Sequence, residues 1–586
     1  MKYTLAHVTH EAVEKIGGIG TVLEGLITSP VYQEHVGRTV LIGPLATHLE
    51  VDPRARLGEE GTVLYSSIDD IDLAQIGPRL RPIEWAFNTP IVYGTRGFRM
   101  HGEERTGRAE VLMIDVFRIN KQRLSIFKHQ MAERFGIDSY RYEADWGYEE
   151  YVRLAEPAFY ALNALLADGD APCIIFSHEF MGLGTAFKAV LEGHRRFRTV
   201  FHAHECSTAR HIVEHHPGHD TMFYNVMRKA RQQGQYVEEV FGRLDDNARH
   251  ALISRAHLCD AVIAVGHYTA QEMHFLGRHF DHHKIDLVYN GVPTMPVTPE
   301  RRERCRDMLA DYAQALLGYR PDVLMTHVMR PVISKGLWRD LAVCHELDRR
   351  FAETGRSGVL FILTSAGGVR RPQDIRHMEK EYGWPRKHRQ GFPDLVGPEE
   401  EFDALVEAFN RDHTRVQAVL VNQFGWSRER IGSRVPAGME MAELRCGTDV
   451  EFGMATYEPF GISPLEPLCA GAVCVISNVC GCAGFVEEVT GGDEVPNVLV
   501  GDYTAISARG RPLESLLSIA QRDRDLVEQR VASHLADELI RRLPRTADER
   551  SAMLESGQKL AHEMGWDRVM QRKILPMLKR IANGKR

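Results

Sequence analysis

Long apolar runs are missing from this sequence of 586 residues, so no segment is expected to cross a bilayer as a helix. The opening stretch, MKYTLAHVTHEAVEK, also lacks the apolar core of a signal peptide and carries histidine and glutamate early. These absences predict a cytoplasmic protein that has no membrane partner.

Positive charge is not in excess either. The chain has 72 Lys and Arg residues against 80 Asp and Glu residues, which gives a formal net charge of -8. A broad nucleic-acid-binding surface needs the opposite balance, so we expect no nucleic-acid partner. Single basic residues aimed at a phosphate remain compatible with this composition.

Cysteine is sparse, with 10 residues in the chain, and none of them forms a CxxC pair. Several lie in apolar, strand-like runs such as Pro172–Phe176 and Ala472–Ile476. Buried, unpaired cysteines of this kind are typical of reduced thiols. We therefore expect neither a disulfide framework nor a cysteine metal site.

Histidine, by contrast, is frequent, with 28 residues. His211 and His215 frame an H-x-x-E-H stretch, which sets two imidazoles four residues apart as in some zinc sites. So short a match arises easily by chance at this histidine content, and a polar helix face is the simpler interpretation. We expect no metal and no cofactor, and whether the His211/His215 region binds anything stays open.

Short apolar runs recur along the chain, each followed by a turn and a longer amphipathic stretch. Several runs are continuous rather than alternating, as expected for parallel strands that are covered on both faces. Between them lie helical patterns, such as the apolar positions from Leu337 to Phe351. The predicted strands are Thr39–Gly43, Val111–Val116, Cys173–Ser177, Thr199–His204, Ala261–Val265, Asp286–Tyr289, Val323–Val328, Val359–Thr364, Ala418–Asn422, Glu451–Ala455 and Val473–Ser477.

The repetition of strand, helix and strand predicts an α/β protein with parallel, doubly wound sheets. A chain of this length exceeds one hydrophobic core, so at least two domains are expected. The segment Gly291–Glu300 carries three prolines and is the best candidate linker. We predict Rossmann-like domains over residues 1–295 and 296–565, and a basic amphipathic C-terminal helix over 566–586 that packs on the N-terminal domain.

A glycine-rich turn, Glu14–Gly20 (EKIGGIG), follows the opening strand. Gly17 and Gly18 let backbone amides approach a ligand closely, and the helix that follows offers its positive end to an anion. Lys15 adds a point charge. The turn is equally compatible with a tight strand-to-helix connection that binds nothing.

Two cations, Arg330 and Lys335, follow the first predicted strand of the second domain. Ligands of open α/β sheets bind outside the carboxyl ends of the strands, where these side chains would clamp a diphosphate and stabilise its charge as it leaves. The alternative is a pair of solvated surface cations.

The decapeptide Tyr457–Glu466 (YEPFGISPLE) has the most specific pattern. Glu458 and Glu466 stand eight residues apart on a predicted strand-to-helix turn, with Glu466 in the first or second turn of the helix. Carboxylates accept hydrogen bonds from sugar and ribose hydroxyls, and the amides of Gly461 and Ile462 can hold a phosphate. Glu466 would alternatively only complement the helix dipole.

Histidines end two predicted strands of the first domain. His178 and Glu179 end one strand, and His202, His204 and Glu205 end another, at the edge where ligands bind. Hydrogen bonding of a sugar by His204 or His178 is the favoured interpretation.

In this order the four sites resemble the GT-B retaining glycosyltransferases, and within them the glycogen synthases, from Glu11 to about Val486. YEPFGISPLE is similar to a signature of the animal and fungal glycogen synthases. The segments at His178, His204 and Asn290 are similar to other segments of the same enzymes. Two features are closer to the pattern of bacterial enzymes: the glycine at position 20 of the glycine-rich turn, and the five-residue spacing from Arg330 to Lys335.

The resemblance implies two Rossmann-like domains that face an interdomain cleft holding a nucleotide sugar. It also implies transfer of glucose from UDP-glucose or ADP-glucose to the non-reducing end of an α-1,4-glucan, with retention, and often a homo-oligomer. The implied catalytic residues are His204, Arg330, Lys335 and Glu458. The implied donor-binding residues are Lys15, Gly17, Gly18, Gly461, Ile462 and Glu466. Possible sugar or acceptor contacts are His178, Glu179 and Asn290.

Other functions remain compatible with the sequence. One is a GT-B transferase with another sugar acceptor, such as a disaccharide or small molecule, and another is a non-catalytic glucan-binding or sugar-nucleotide-binding protein. The retained charged residues favour an enzyme. The donor nucleotide, the acceptor and the oligomeric state stay open. The loosely spaced Arg541, Arg542, Arg545 and Arg550 do not predict the arginine cluster of allosterically regulated relatives.

Overall fold

A computed structural model of the chain describes residues 2–15, 17–45, 52, 56–58, 60–100, 105–167, 170, 172–193, 195–506 and 510–584. Ile16 of the glycine-rich turn and the last two residues of the predicted C-terminal helix lie outside these ranges. The chain forms two compact units. The first comprises Met1–Ala209, Ala230–Gly291 and Trp566–Arg586, and the second comprises Arg210–Lys229 and Val292–Gly565.

The first unit is built on a 10-stranded sheet with the order β10-β9-β8-β7-β1-β2-β6-β5-β3-β4. Its strands are β1 (Tyr3–Val8), β2 (Val36–Leu45), β3 (Gly61–Ser66), β4 (Ile71–Asp72), β5 (Ile91–Arg99), β6 (Thr106–Asp115), β7 (Cys173–His178), β8 (Phe197–Ala203), β9 (Ala261–Ala264) and β10 (Ile285–Leu287).

The second unit is built on a 6-stranded parallel sheet with the order β13-β12-β11-β14-β15-β16. Its strands are β11 (Val323–Val328), β12 (Gly358–Leu363), β13 (Val416–Val421), β14 (Val450–Gly453), β15 (Val473–Ser477) and β16 (Val498–Gly501).

Helices connect the strands. In chain order they are α1 (Gly18–Thr28), α2 (Pro30–His35), α3 (Gly77–Phe87), α4 (Lys121–Phe135), α5 (Trp146–Leu165), α6 (Glu179–Glu192), α7 (Ser207–His215), α8 (His219–Gln232), α9 (Val237–Phe241), α10 (Ala248–Ile253), α11 (His267–Phe275), α12 (Pro299–Leu317), α13 (Leu337–Thr354), α14 (Pro372–Tyr382), α15 (Glu399–Asp412), α16 (Arg428–Ile431), α17 (Met441–Gly447), α18 (Gly481–Thr490), α19 (Leu513–Leu517), α20 (Gln521–Arg542), α21 (Ala547–Glu563), α22 (Trp566–Val569) and α23 (Leu575–Ala582). A π-helical turn, Met570–Ile574, joins the last two.

The predicted α/β class and the doubly wound sheets are confirmed, and every predicted strand overlaps an observed one. Strands such as β7 and β12 are buried along their whole length, which explains their continuous apolar sequences. The prediction of purely parallel sheets is wrong at one edge, where β3, β4, β5 and β6 pair antiparallel. Few residues separate the end of β5 from the start of β6, and a short connection can join antiparallel strands, whereas parallel strands need a longer crossover.

A buried charge cluster forms around α13 of the second unit. Arg339 of α13 pairs with Asp220 at 2.7 Å and with Glu528 at 2.8 Å. Its guanidinium also lies 3.9 Å from the ring centre of Tyr503. Because Asp220 belongs to the Arg210–Lys229 segment, this cluster anchors that segment within the second unit.

All ten cysteines are buried free thiols, as predicted. Among the described residues, no helix is both long and apolar enough to cross a bilayer.

Candidate functional site

The two loops that carry the second unit's predicted residues are joined through their backbones. Lys335 ends a 3-10 turn, Ile333–Lys335, directly before α13. The amide of Thr456, which precedes Glu458 by two residues, donates to the Ser334 carbonyl at 2.8 Å. Gly336 turns the chain with a φ of +67°, and a side chain there would lie 2.8 Å from the Met454 carbonyl. The loops therefore approach more closely than any residue larger than glycine allows.

Lys335 and Glu458 form an ion pair in this arrangement, with side chains 18% and 16% exposed. Burial favours the neutral form of Glu458, yet Lys335 opposes it, and the pKa of this carboxyl falls below its ordinary value. Arg330 and Arg210 add smaller effects of the same sign. Glu458 is thus an anion at neutral pH that is paired with Lys335 and lies within the electrostatic influence of Arg330 and Arg210.

The turn after Glu458 presents backbone amides. Gly461 has a φ of +89°, a conformation that favours glycine. No acceptor for the amide of Gly461 or Ile462 lies within the part of the chain that the structure describes. Two free amides next to the Lys335–Glu458 ion pair form a chemically suitable place for a phosphate.

Glu466 lies in a 3-10 helix, Ser463–Ala470, rather than in an α-helix. Its carboxylate accepts from Arg445 at 2.7 Å, and Arg445 also pairs with the buried Glu451 at 2.8 Å. The Glu466 side chain keeps 32% of its surface exposed. Arg445 therefore holds Glu466 in place while leaving part of its carboxylate accessible to a ligand.

In the first unit, the glycine-rich turn surrounds a carboxylate of the chain itself. The amides of Gly17 and Gly20 donate to Glu11 at 2.8 and 2.9 Å. Lys15 points to α1, where it pairs with Glu24 at 2.9 Å. Gly18 begins α1, and a side chain there would meet nothing within 4 Å. Phosphate binding by the Gly17 amide stays a prediction, and it requires Glu11 to move.

A chain of imidazoles crosses the carboxyl ends of the first unit's strands. His204 Nε2 lies 2.8 Å from His178 Nδ1, and His178 Nε2 lies 2.9 Å from His7 Nδ1. Tyr32 continues the chain, because its hydroxyl lies 3.5 Å from His7 and 2.8 Å from the Thr39 hydroxyl. A neutral imidazole has one donor and one acceptor, so the hydrogen bonds run in a single direction along the chain.

His202 lies beside this chain but does not join it. It pairs in register with His178, and its ring centre is 3.9 Å from that of His204. Only 4% of the residue is exposed, and neither ring nitrogen has a hydrogen-bond partner among the described residues. Such an unsatisfied buried group is uncommon and suggests a ligand.

Burial keeps these histidines neutral. It lowers the pKa of His7 and of His204 to about 3, and lowers that of His178 and His202 well below the ordinary value. Neighbouring histidines add to the effect on His178 and His202.

We expect the first unit to lose stability as the pH falls from about 6.5 towards 3. In that range the histidines of the unfolded chain bind protons, whereas the buried histidines of the folded chain stay neutral. Each of these histidines therefore lowers the free energy of unfolding by about 1 kcal/mol per pH unit. His7→Gln should flatten the pH dependence of the unfolding temperature, whereas His129→Gln, at a side chain that is 66% exposed, should leave it unchanged. An unfolding temperature that is constant from pH 7 to 5 would contradict this assignment.

The two other predicted contacts of this unit are buried. Glu179 has a φ of +57°, and its carboxylate accepts from the Glu205 amide at 2.5 Å, which links the ends of β7 and β8. Asn290 is buried just after β10.

The H-x-x-E-H pair lies on a single helix. His211 and His215 lie on α7 with ring centres 4.3 Å apart, but His215 Nδ1 interacts with the His211 carbonyl at 2.8 Å. Within the described ranges, the one group that could hold a metal ion is His178, His202 and His204.

Sequence reasoning missed several residues that the structure brings to these sites. His7, Glu11 and Arg445 lack a distinguishing motif, and His202 ends the same predicted strand as His204, but the resemblance implies no role for it. Arg210 precedes the predicted linker by about eighty residues, yet it belongs to the second unit and influences Glu458.

The comparison with known proteins shows a shared fold but no close relationship in sequence. No known family and no curated protein matches the sequence. Among solved structures, the chain is similar to a trehalose-6-phosphate protein from E. coli bound with UDP-2-fluoro glucose, with a TM-score of 0.51, 12% identity and 99% of each chain covered. It is also similar to a UDP-forming α,α-trehalose-phosphate synthase from Burkholderia xenovorans, with a TM-score of 0.50, 14% identity, and 99% and 100% of the two chains covered. At these identities the similarity establishes the fold, which is GT-B.

Proposed function

We propose that this chain is a retaining glycosyltransferase that takes glucose from a nucleotide sugar. The observation that carries the proposal is the group of Lys335, Arg330 and Glu458 beside the free amides of Gly461 and Ile462. Cations and amides suit a diphosphate, and an ionised carboxylate suits sugar hydroxyls. All of these groups follow parallel strands at their carboxyl ends, where ligands of open α/β sheets bind.

Stabilisation of the leaving group is the main catalytic contribution in this proposal. Negative charge develops on the diphosphate as the bond to the sugar breaks, and Lys335 and Arg330 stabilise that charge more than they stabilise the intact donor. The amides of Gly461 and Ile462 bind the phosphate oxygens. The proposed reaction needs no metal, because side-chain cations supply the positive charge.

Glu458 holds sugar hydroxyls rather than acting as a nucleophile. Its ion pair with Lys335 lowers its basicity, which suits a hydrogen-bond acceptor that stays charged. Glu466, fixed by Arg445, accepts from ribose hydroxyls. The roles of His204 as the residue that orients the donor sugar, and of His178, Glu179 and Asn290 as sugar or acceptor contacts, rest on the family resemblance.

The acceptor hydroxyl attacks the anomeric carbon on the face from which the nucleotide leaves, which preserves the α configuration, and its proton passes to the departing phosphate oxygen. No carboxylate nucleophile is required, so the remaining work is to position the two substrates.

We propose UDP-glucose as the first donor to examine. The similar E. coli structure is bound with UDP-2-fluoro glucose, and the Burkholderia protein is described as UDP-forming. ADP-glucose is the alternative that the bacterial features of the sequence leave open.

Two acceptors are supported by different observations. The decapeptide Tyr457–Glu466 resembles the glycogen-synthase signature and favours an α-1,4-glucan. The similar structures carry names of trehalose-phosphate synthesis, which favours a sugar phosphate.

The full-length protein should release nucleoside diphosphate from its donor in an acceptor-dependent way. The experiment combines UDP-glucose or ADP-glucose with glycogen, with glucose 6-phosphate, or with no acceptor, and measures diphosphate release. Release that requires glycogen identifies a glucan synthase, and release that requires glucose 6-phosphate identifies a disaccharide-phosphate synthase. If the protein binds a donor but releases no diphosphate with either acceptor, a binding role replaces the proposed one.

A further inference from the structure

We propose that His178, His202 and His204 form a binding site for a borderline-soft divalent cation such as Zn²⁺, with a fourth position left open. Each residue offers one ring nitrogen, and the three atoms all lie within 4.8 Å of one another. Metal binding at this place does not depend on the glycosyltransferase function proposed above.

The strand pairing brings the three ligands together. His178 ends β7, and His202 lies beside it in the parallel register of β8. Side chains in register on neighbouring strands share one face of a sheet, so the two imidazoles are neighbours. His204 follows two residues later and is half-buried, so the open position lies on its side of the group.

His202 supplies an independent observation. Its two ring nitrogens are buried and have no hydrogen-bond partner among the described residues. Leaving such groups unsatisfied destabilises the folded chain, and a bound cation would satisfy one of the two nitrogens.

The distances permit a tetrahedral ion after a small adjustment. Zinc-to-nitrogen bonds of about 2.0–2.1 Å place ligand nitrogens roughly 3.3 Å apart. His178 Nδ1 and His204 Nε2 now share a hydrogen bond of 2.8 Å, so they need to separate by about half an ångström. Side-chain rotation can supply a movement of that size.

The imidazole chain behind the group orients His178 for this role. If His178 Nδ1 holds a metal, its proton lies on Nε2 and is donated to His7 Nδ1 at 2.9 Å. The His7 proton then faces the Tyr32 hydroxyl, which donates to Thr39 at 2.8 Å. The ring N–H of His178, the ring N–H of His7 and the hydroxyl of Tyr32 each have an acceptor in this arrangement, as expected for the outer partners of a metal-bound histidine.

The ligand set defines the class of cation. Three neutral imidazoles favour Zn²⁺, Co²⁺, Ni²⁺ or Cu²⁺, whereas Mg²⁺ and Ca²⁺ prefer oxygen ligands. A bound ion would also occupy the His204 nitrogen that the proposed function assigns to the sugar, so Zn²⁺ should inhibit transfer.

The test is calorimetric titration of the metal-free full-length protein with Zn²⁺ alone, in the absence of any sugar nucleotide. We expect one strongly bound ion, an unchanged affinity in His211→Ala, and an affinity at least about 100-fold lower in His202→Ala. The control variant, His211→Ala, disrupts the closely spaced pair of His211 and His215 on α7. A folded wild-type protein without strong binding, or equal affinity in wild type and His202→Ala, would overturn the proposal.

A second measurement covers the case in which His202→Ala does not fold. Co²⁺ added to the wild-type protein should give the intense visible absorption of four-coordinate cobalt, which Zn²⁺ then abolishes. The pale spectrum of six-coordinate, hydrated cobalt would overturn the site. Because neither measurement uses a donor, failure here leaves the diphosphate-release experiment unaffected.

Discussion

Replacing Lys335 with alanine should lower kcat/KM for donor turnover by about 100- to 1,000-fold while the protein stays folded. The ammonium pairs with Glu458, whose pKa Arg330 also lowers, and the proposed reaction develops negative charge on the leaving diphosphate at this place. Removing it takes away this stabilisation and leaves Glu458 without its nearest cation. The pKa of Glu458 should therefore rise, because burial favours its neutral form.

The measurement is steady-state release of nucleoside diphosphate, with circular dichroism and thermal unfolding to establish that the variant is folded. Lys284→Ala is the matched control, since Lys284 also forms an ion pair, with Asp286 at 3.0 Å, but is 69% exposed. It should retain wild-type turnover. Near-normal turnover by folded Lys335→Ala would remove this residue from the chemistry and with it the proposed stabilisation of the leaving group.

Replacing Arg339 with methionine should destabilise the second unit by about 3–5 kcal/mol. Methionine fills similar space but leaves Asp220 and Glu528 in the interior without their shared cation. Burial already raises the pKa of Asp220 even with Arg339 opposing it, so removal of the guanidinium makes the charged form still less favourable.

The loss should extend to activity, because Arg339 also donates to the carbonyl of Ala455 at 3.3 Å, just before the loop that carries Glu458.

Urea unfolding followed by tryptophan fluorescence measures the stability. Arg349→Met on the same helix is the control. Arg349 is 65% exposed and pairs with Glu346 at 3.3 Å, and exposed pairs of this kind contribute at most about 1 kcal/mol. Equal stability of the two variants would show that the buried cluster does not hold the unit together.

The sequence predicts the strands of the two sheets well where burial is complete. β11 and β15 begin and end at the predicted residues, because a strand covered on both faces is mostly apolar and is bounded by turns. The β5–β6 pair was not predicted as antiparallel. The sequence of β5, IVYGTRGFR, mixes glycine and arginine with apolar residues and lacks a clear period.

The candidate site was predictable where a motif marks it, and not where tertiary contacts create it. Glu458 and Lys335 stand in recognisable loops, whereas Arg445 and Arg339 lie on ordinary helices, where a charged residue is expected to face water. His7 belongs to a short apolar strand and joins the imidazole chain only because β7 pairs beside β1. The second-unit position of Arg210 follows from packing between distant segments, which local patterns do not encode.

The most direct test of the central proposal is a proton NMR time course of the full-length protein with UDP-glucose or ADP-glucose and the acceptor panel. We predict that one donor is consumed, that nucleoside diphosphate accumulates, and that the new glycosidic linkage has the α configuration from its first appearance. A β-linked product would contradict retention, and complete persistence of both donors with every acceptor would contradict the glycosyltransferase assignment itself.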